Sequence, residues 1–243
     1  MALIKEEQIK AGKNPLDAWE DLLRAAREGF GSIRPEDFLR FKWFGIYQQR
    51  PKTEPYFMLR LKIPGGRLSA EQTRLIAVIA EKQGHGIADI TTRQSIQFHW
   101  LTIETIPGVL EKLNLAGITT IGCGGDIARN ITSSPLAGLE PDEVDDLQDV
   151  ILALQDEFSK NRKFANLPRK FKVSITGGLT DSAQPGINDA GIYGFWKDPE
   201  KKVPAFAIRV GGGLSSDPMF ARTLPVALKR EEIIPAVLAA LEL

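Results

Sequence analysis

Along residues 56–63 apolar and polar side chains alternate. Phe57, Leu59, Leu61 and Ile63 fall on one side, and Met58, Arg60 and Lys62 on the other. Period two predicts a strand, and Pro64-Gly65-Gly66 ends it. Ser69 stands three residues before Gln72, the spacing of a capping box, and Leu75, Ile76, Ile79 and Ala80 follow at helical spacing. A helix is therefore expected up to Gly84 and Gly86. A second strand is expected over about 87–101 and a second helix over about 103–114. Ahead of this block, Asn14-Pro15-Leu16-Asp17 predicts a helix start, with Ala18, Leu22, Leu23 and Ala26 behind it and Gly29, Gly31 and Pro35 as punctuation.

The pattern changes after about residue 119. A strand is expected to lead into Arg129. A helix is expected over about 141–160, with Val144, Leu147, Ile151, Leu154 and Phe158 on its buried face. Strands follow over 171–176, in one or two pieces around 189–196, and over 205–210. A closing helix covers 230–243. The whole reads as α+β: a helical lead-in over 1–40, a small two-layer unit over 41–118, and a mixed α/β domain over 119–243.

Composition narrows the class. The chain has 243 residues, 43% of them hydrophobic, enough for a core without disulfides. No apolar run approaches the roughly 18–20 residues that span a bilayer. The amino-terminal residues lack the basic-then-apolar pattern of a leader, so a cytoplasmic protein without membrane attachment is expected. Lys and Arg balance Asp and Glu at 31 each, which argues against nucleic acid as a partner. One cysteine, Cys123, can neither close a disulfide within the chain nor hold a four-cysteine cluster. It reads as a small buried residue, and no metal site is expected.

The candidate chemistry lies in basic and amide side chains. Read with period two, Thr91, Arg93, Ser95, Gln97 and His99 share one strand face, rich in donors and without an acid. Arg60 and Lys62 share a face of the first strand, and Lys170 and Lys172 share another beyond Arg169. Arg129-Asn130 follows a Gly124-Gly125 pair. Cations on strands are rigidly placed, as an anion site requires. The acids Glu140, Asp142, Glu143, Asp145, Asp146 and Asp149 are expected at a helix start, where they complement the helix dipole.

Seven segments in order carry a resemblance: Phe44-Gly45-Ile46-Tyr47-Gln48-Gln49; Met58-Leu59-Arg60 with Pro64-Gly65-Gly66; Thr92-Arg93-Gln94 with Gln97-Phe98-His99; Arg129-Asn130; Leu167-Pro168-Arg169-Lys170-Phe171-Lys172; Asn188-Asp189; and Val210-Gly211-Gly212-Gly213-Leu214-Ser215. From about residue 41 onward the chain resembles the amino-terminal half of the sirohaem-dependent assimilatory nitrite and sulfite reductases. The resemblance implies a ferredoxin-like half-unit followed by a sirohaem-associated domain. It implies six-electron reduction of nitrite to ammonia or sulfite to sulfide, on a sirohaem coupled to a [4Fe–4S] cluster, with ferredoxin or a flavoprotein as donor. By the same resemblance, Arg60, Arg129, Lys170 and Lys172 surround the bound anion. Arg93, Gln97, His99, Arg169 and Asn130 hold the macrocycle and its carboxylates.

The chain departs from the family pattern in one respect. The C-x₅-C and C-x₃-C ligands of the cluster do not occur in it. The resemblance therefore implies a cluster-bearing carboxy-terminal half or separate subunit as partner, and this chain alone is not assigned as an enzyme. A non-catalytic sirohaem carrier or sensor is the alternative. A first region without its symmetric counterpart is expected to self-associate into a homo-oligomer.

Overall fold

The computed structural model describes residues 5–179 and 181–242. The first residues of the amino-terminal stretch and the last residue of the expected closing helix lie outside the described residues. The chain divides into two compact units. One takes in the chain as far as Ile63 together with Arg67–Ile127 and Asn161–Lys170. The other takes in Pro64–Gly66, Ala128–Lys160 and the chain from Phe171 onward.

The first unit opens with α1 (Lys5–Gly12), α2 (Trp19–Glu28) and the short α3 (Asp37–Arg40). Asn14 does act as a cap, accepting from Leu16 N at 3.0 Å, but it starts a 3₁₀ turn ahead of α2. Asp37 is fully buried and ties this segment together. Its carboxylate accepts from Arg34 Nε at 2.7 Å and Arg40 Nη1 at 3.2 Å, and Arg24 Nη2 lies 3.5 Å away. A buried carboxylate needs such partners to offset its desolvation.

The sheet of this unit has four antiparallel strands: β1 (Ile46–Gln48), β2 (Tyr56–Leu61), β3 (Ala88–Ile90) and β4 (Ile96–Thr102), in spatial order β1-β2-β4-β3. β2 alternates as expected, with Phe57, Leu59 and Leu61 buried. Between β2 and β3 runs α4 (Ala70–Gln83), whose capping box is formed in both directions by Ser69 and Gln72. After β4 comes α5 (Ile106–Leu115), which starts later than expected. Leu22, Ile76, Ile79, Ile106, Val109, Leu110 and Leu113 from α2, α4 and α5 join Phe57, Leu59, Leu61, Phe98 and Leu101 of the sheet in one core. Each such side chain contributes about 1.5–3 kcal/mol by leaving water.

The strand expected over 87–101 is instead a hairpin. Thr91 N donates to Ser95 O at 2.8 Å, and Thr91 Oγ1 accepts from Arg93 N and Ser95 N. Gln94 takes a positive φ of 55°. The alternation of small donors that resembled a strand face is a turn whose hydroxyls and amides bond locally. A second break follows. Phe57 pairs with Leu101 but Leu59 pairs with Phe98, so Met58 faces both His99 and Trp100, and Trp100 has φ 61°. This β-bulge turns both Phe98 and Leu101 into the core. Of the five residues expected to share a face, only Gln97 and His99 lie on β4.

The second unit contains α6 (Gln148–Lys160), β5 (Val173–Thr176), β6 (Ala190–Asp198), β7 (Val203–Val210), β8 (Arg222–Thr223) and α7 (Ile233–Glu242). Its sheet runs β5-β6-β7-β8, parallel between β5 and β6 and antiparallel thereafter. Ile151, Leu154 and Phe158 of α6 and Ile233 and Val237 of α7 are buried, as are Val173, Ile175, Ile192, Phe206 and Ile208 of the sheet.

Three expectations fail in this part of the chain. Residues 141–147 are not helical, so of the acids only Asp149 lies in the first turn of α6. Asp146 caps that helix by accepting from Gln148 N at 3.1 Å. Glu140 bonds Ser134 Oγ at 2.6 Å, and Asp145 and Asp149 hold Arg230. No continuous strand leads into Arg129; Ala128 and Thr132 make isolated parallel bridges to Phe171 and Ser174. Lys172 precedes β5, and Lys170 belongs to an exposed loop, so neither lies on a strand.

Candidate functional site

Arg60 is held in place by three contacts. It lies on the face of β2 turned away from the core, opposite Gln97 in the β2–β4 register. Its Nη2 donates to Gln97 Oε1 at 3.3 Å and its Nη1 to the Cys123 carbonyl at 3.1 Å. The guanidinium lies over the Tyr47 ring, 5.2 Å from its centre, a cation–π contact. Its Nε is buried and has no hydrogen-bond partner among the described residues. Arg60 is thus a cation set among neutral groups: an amide oxygen, a backbone carbonyl and an aromatic ring.

Glycines make this setting possible. A Cβ on Gly124 would meet Tyr47 Oη and the Lys42 carbonyl, and one on Gly125 would meet the Trp43 indole. Gly125 also has φ 77°, which disfavours other residues. The pair lets the segment that carries Cys123 press against β1. Cys123 itself is buried, 2% exposed, as its isolation in the sequence suggested.

His99 Nε2 lies 3.0 Å from Asp89 Oδ2. Asp89 comes from β3, so the face expected to lack an acid has one. Trp100 packs beside His99 and stacks on His85, ring centres 5.0 Å apart. Arg93 sits half-buried in the β3–β4 turn. Arg169 and Lys170 are exposed on a loop of the same unit.

Arg129, Asn130 and Lys172 belong to the second unit. Arg129 N donates to Phe171 O at 2.8 Å, Arg129 is half-buried, and Asn130 is buried. Lys172 N donates to Asp189 Oδ2 at 2.8 Å, and its Nζ lies 3.6 Å from the same oxygen and 3.5 Å from Ile187 O. The role of Asp189 as acceptor was missed in the sequence, as were those of Tyr47 and Asp89. Only strand register or chain reversal brings them to their partners. The Gly124-Gly125 pair was the one local signal of a close approach.

An antiparallel four-stranded sheet packed with helices, followed by a second, mixed four-stranded sheet, defines an α+β class, and comparison with known proteins makes this specific. Residues 49–116 match the nitrite/sulfite reductase ferredoxin-like half domain, and residues 124–243 match the nitrite and sulphite reductase 4Fe-4S domain. The chain belongs to the nitrite and sulfite reductase family. It is 42% identical to an assimilatory ferredoxin-dependent nitrite reductase of Haloferax mediterranei, over 94% of this chain and 42% of that protein. It is 36% identical to a ferredoxin sulfite reductase of Mycobacterium tuberculosis, over 96% of this chain and 44% of that protein. The structure of the NirA protein of Mycobacterium tuberculosis superposes with a TM-score of 0.91 at 32% identity, covering 99% of this chain and 46% of that one. The chain thus spans less than half the length of these relatives. Its stretch 124–243, matched to a 4Fe-4S domain, contains no cysteine.

Among the described residues no helix is long and apolar enough to cross a membrane, and no group of His, Cys, Asp and Glu could hold a metal ion.

Proposed function

We propose that this chain is the amino-terminal, anion- and sirohaem-contacting half of a reductase that converts nitrite to ammonia or sulfite to sulfide. The observation that carries the reading is Arg60: a permanently charged side chain, locked by Gln97, Cys123 and Tyr47, with a buried Nε left over. An oxyanion supplies the charge this arrangement lacks.

The donor set fits a carboxylate-rich tetrapyrrole. Arg93, Gln97, His99, Arg169 and Asn130 would hold it, and each can offer N–H groups to a carboxylate rim. Bound sirohaem, coupled to a cluster on a partner half, would supply the electrons. This chain's residues do the remaining work. Arg60 and Arg129 offset the negative charge of the anion and cannot lose their own. Lys170 and Lys172 offer protons to the oxygens that depart as water, with Asp189 holding Lys172 in place. The domain division at about residue 119, and ferredoxin as the donor, belong to the same proposal; the names of the relatives support the donor.

The test is assembly. The chain is co-expressed with a cluster-bearing half from a relative. A sirohaem absorption band and turnover of nitrite or sulfite with a low-potential donor are expected. Two folded, associated halves that give neither band nor turnover would refute the proposal.

A further inference from the structure

Arg209 is a half-buried cation for which the sequence suggested no role. It lies on β7, register partner of Gly191 on one side and of Thr223 on the other. Its guanidinium lies over the Tyr193 ring, 4.8 Å from the centre, and among the described residues it makes no hydrogen bond or ion pair. Other cations of this unit are provided for: Lys172 has Asp189, and Arg230 has Asp145 and Asp149. Stacking on Tyr193 fixes the plane of the guanidinium but leaves its N–H fork unsatisfied.

The surroundings of Arg209 are specific. Its Nη1 lies 3.4 Å, and Phe220 Cδ1 3.7 Å, from where a Cβ on Gly186 would sit. Phe220 is 80% exposed, and Leu214 and Met219 in the same 211–220 loop are 64% and 53% exposed. A planar donor fork and an uncovered aromatic ring thus border one small residue. Lys172 reaches the same three-residue turn, Pro185–Ile187, through Ile187 O.

We infer that Arg209, supported by Tyr193 and edged by Thr223 and Phe220, is a binding corner for a carboxylate carried on an apolar ring, such as the rim of a tetrapyrrole. The fork takes the two carboxylate oxygens, and Phe220 covers the adjoining apolar edge. This rests on the reading that the chain holds a tetrapyrrole, and it adds a contact outside the set proposed above.

Uroporphyrin, a tetrapyrrole with a carboxylate-rich rim, is titrated into the full chain and followed by its Soret band. The Arg209→Gln variant is expected to weaken binding about ten-fold, the loss of one charge-assisted contact. Arg209→Lys should recover part of it, since Lys restores charge without the fork. Tyr193→Leu should weaken it as well, and the uroporphyrin methyl ester should lose its dependence on Arg209. Succinate that competes only when Arg209 is present assigns the corner to carboxylates in general; failure to compete assigns it to ring-borne ones. Equal binding by wild type and Arg209→Gln, both with unchanged thermal melts, overturns the inference. If Arg169→Gln then still weakens binding, the proposed function stands without it. A wild-type chain that takes up no uroporphyrin overturns the inference and leaves the proposed function to the assembly test.

Discussion

Arg60 on β2 and Gln97 on β4 are register partners, and the guanidinium of the first donates to the amide oxygen of the second over 3.3 Å. The bond joins two residues 37 positions apart and gives Arg60 one orientation. Replacing Gln97 by Leu should leave stability within about 1 kcal/mol, since the site is half-exposed. In a reductase assembled with this chain, kcat/KM for the anion should nevertheless fall about five- to ten-fold. Arg60→Lys should cost more, about ten- to a hundred-fold, because one ammonium cannot serve Cys123, Gln97 and an oxyanion together. Steady-state kinetics with a chemical reductant reads both.

Gly125→Ala combines a φ of 77° with a Cβ driven into the Trp43 indole. Destabilisation of about 2 kcal/mol or more is expected, from overpacking and from the left-handed backbone. A urea denaturation midpoint followed by tryptophan fluorescence measures it.

Asp37→Ala removes a buried acceptor shared by Arg24, Arg34 and Arg40. Breaking a buried pair from one side costs about 3–5 kcal/mol, and here part of that is recovered because Arg34 is half-exposed to water. A loss of about 2–3 kcal/mol is expected by chemical denaturation, with Asp37→Asn recovering some of it.

The pair between Asp149 and Arg230 makes stability depend on acid. The hydrogen bond from Arg230 holds the Asp149 carboxyl below the ordinary aspartate range, with the Val150 backbone assisting. A group with a depressed folded pKa contributes its full stabilisation above the unfolded value, about pH 4, and loses it as the pH falls through the folded value. Wild type should therefore lose more stability than Arg230→Gln between about pH 6 and about pH 3. The excess should be no more than about 0.5–1 kcal/mol, since both groups face solvent, and added salt should shrink it. Urea midpoints at the two pH values supply the comparison.

What the chain announces locally was readable. β2 was visible because Phe57, Leu59 and Leu61 alternate with polar residues, and α4 because Ser69 and Gln72 have the spacing of a reciprocal cap. The β3–β4 hairpin was not, because Thr91, Arg93 and Ser95 alternate like a strand while their hydroxyl and amide groups close a turn. The acids before α6 imitated a helix start, but Glu140 and Asp145 bond elsewhere and leave only Asp146 and Asp149 at its end. In the site, the candidate cations could be named from residue type. Their partners could not. Asp89 reaches His99 and Gln97 reaches Arg60 only through pairing across the sheet, and Asp189 reaches Lys172 only after a loop brings the chain back.

The bulge at His99 and Trp100 fixes where this strand can change length. Dropping Trp100 would restore a regular ladder and keep Phe98 and Leu101 facing inward. Dropping any neighbour among Gln97, Phe98 or Leu101 would turn the remaining apolar side chains outward. The bulge pair His99-Trp100 is thus where β4 can lose one residue with its inward face intact, and a sequence comparison that opens a one-residue gap elsewhere in β4 pairs residues that point to opposite sides of the sheet.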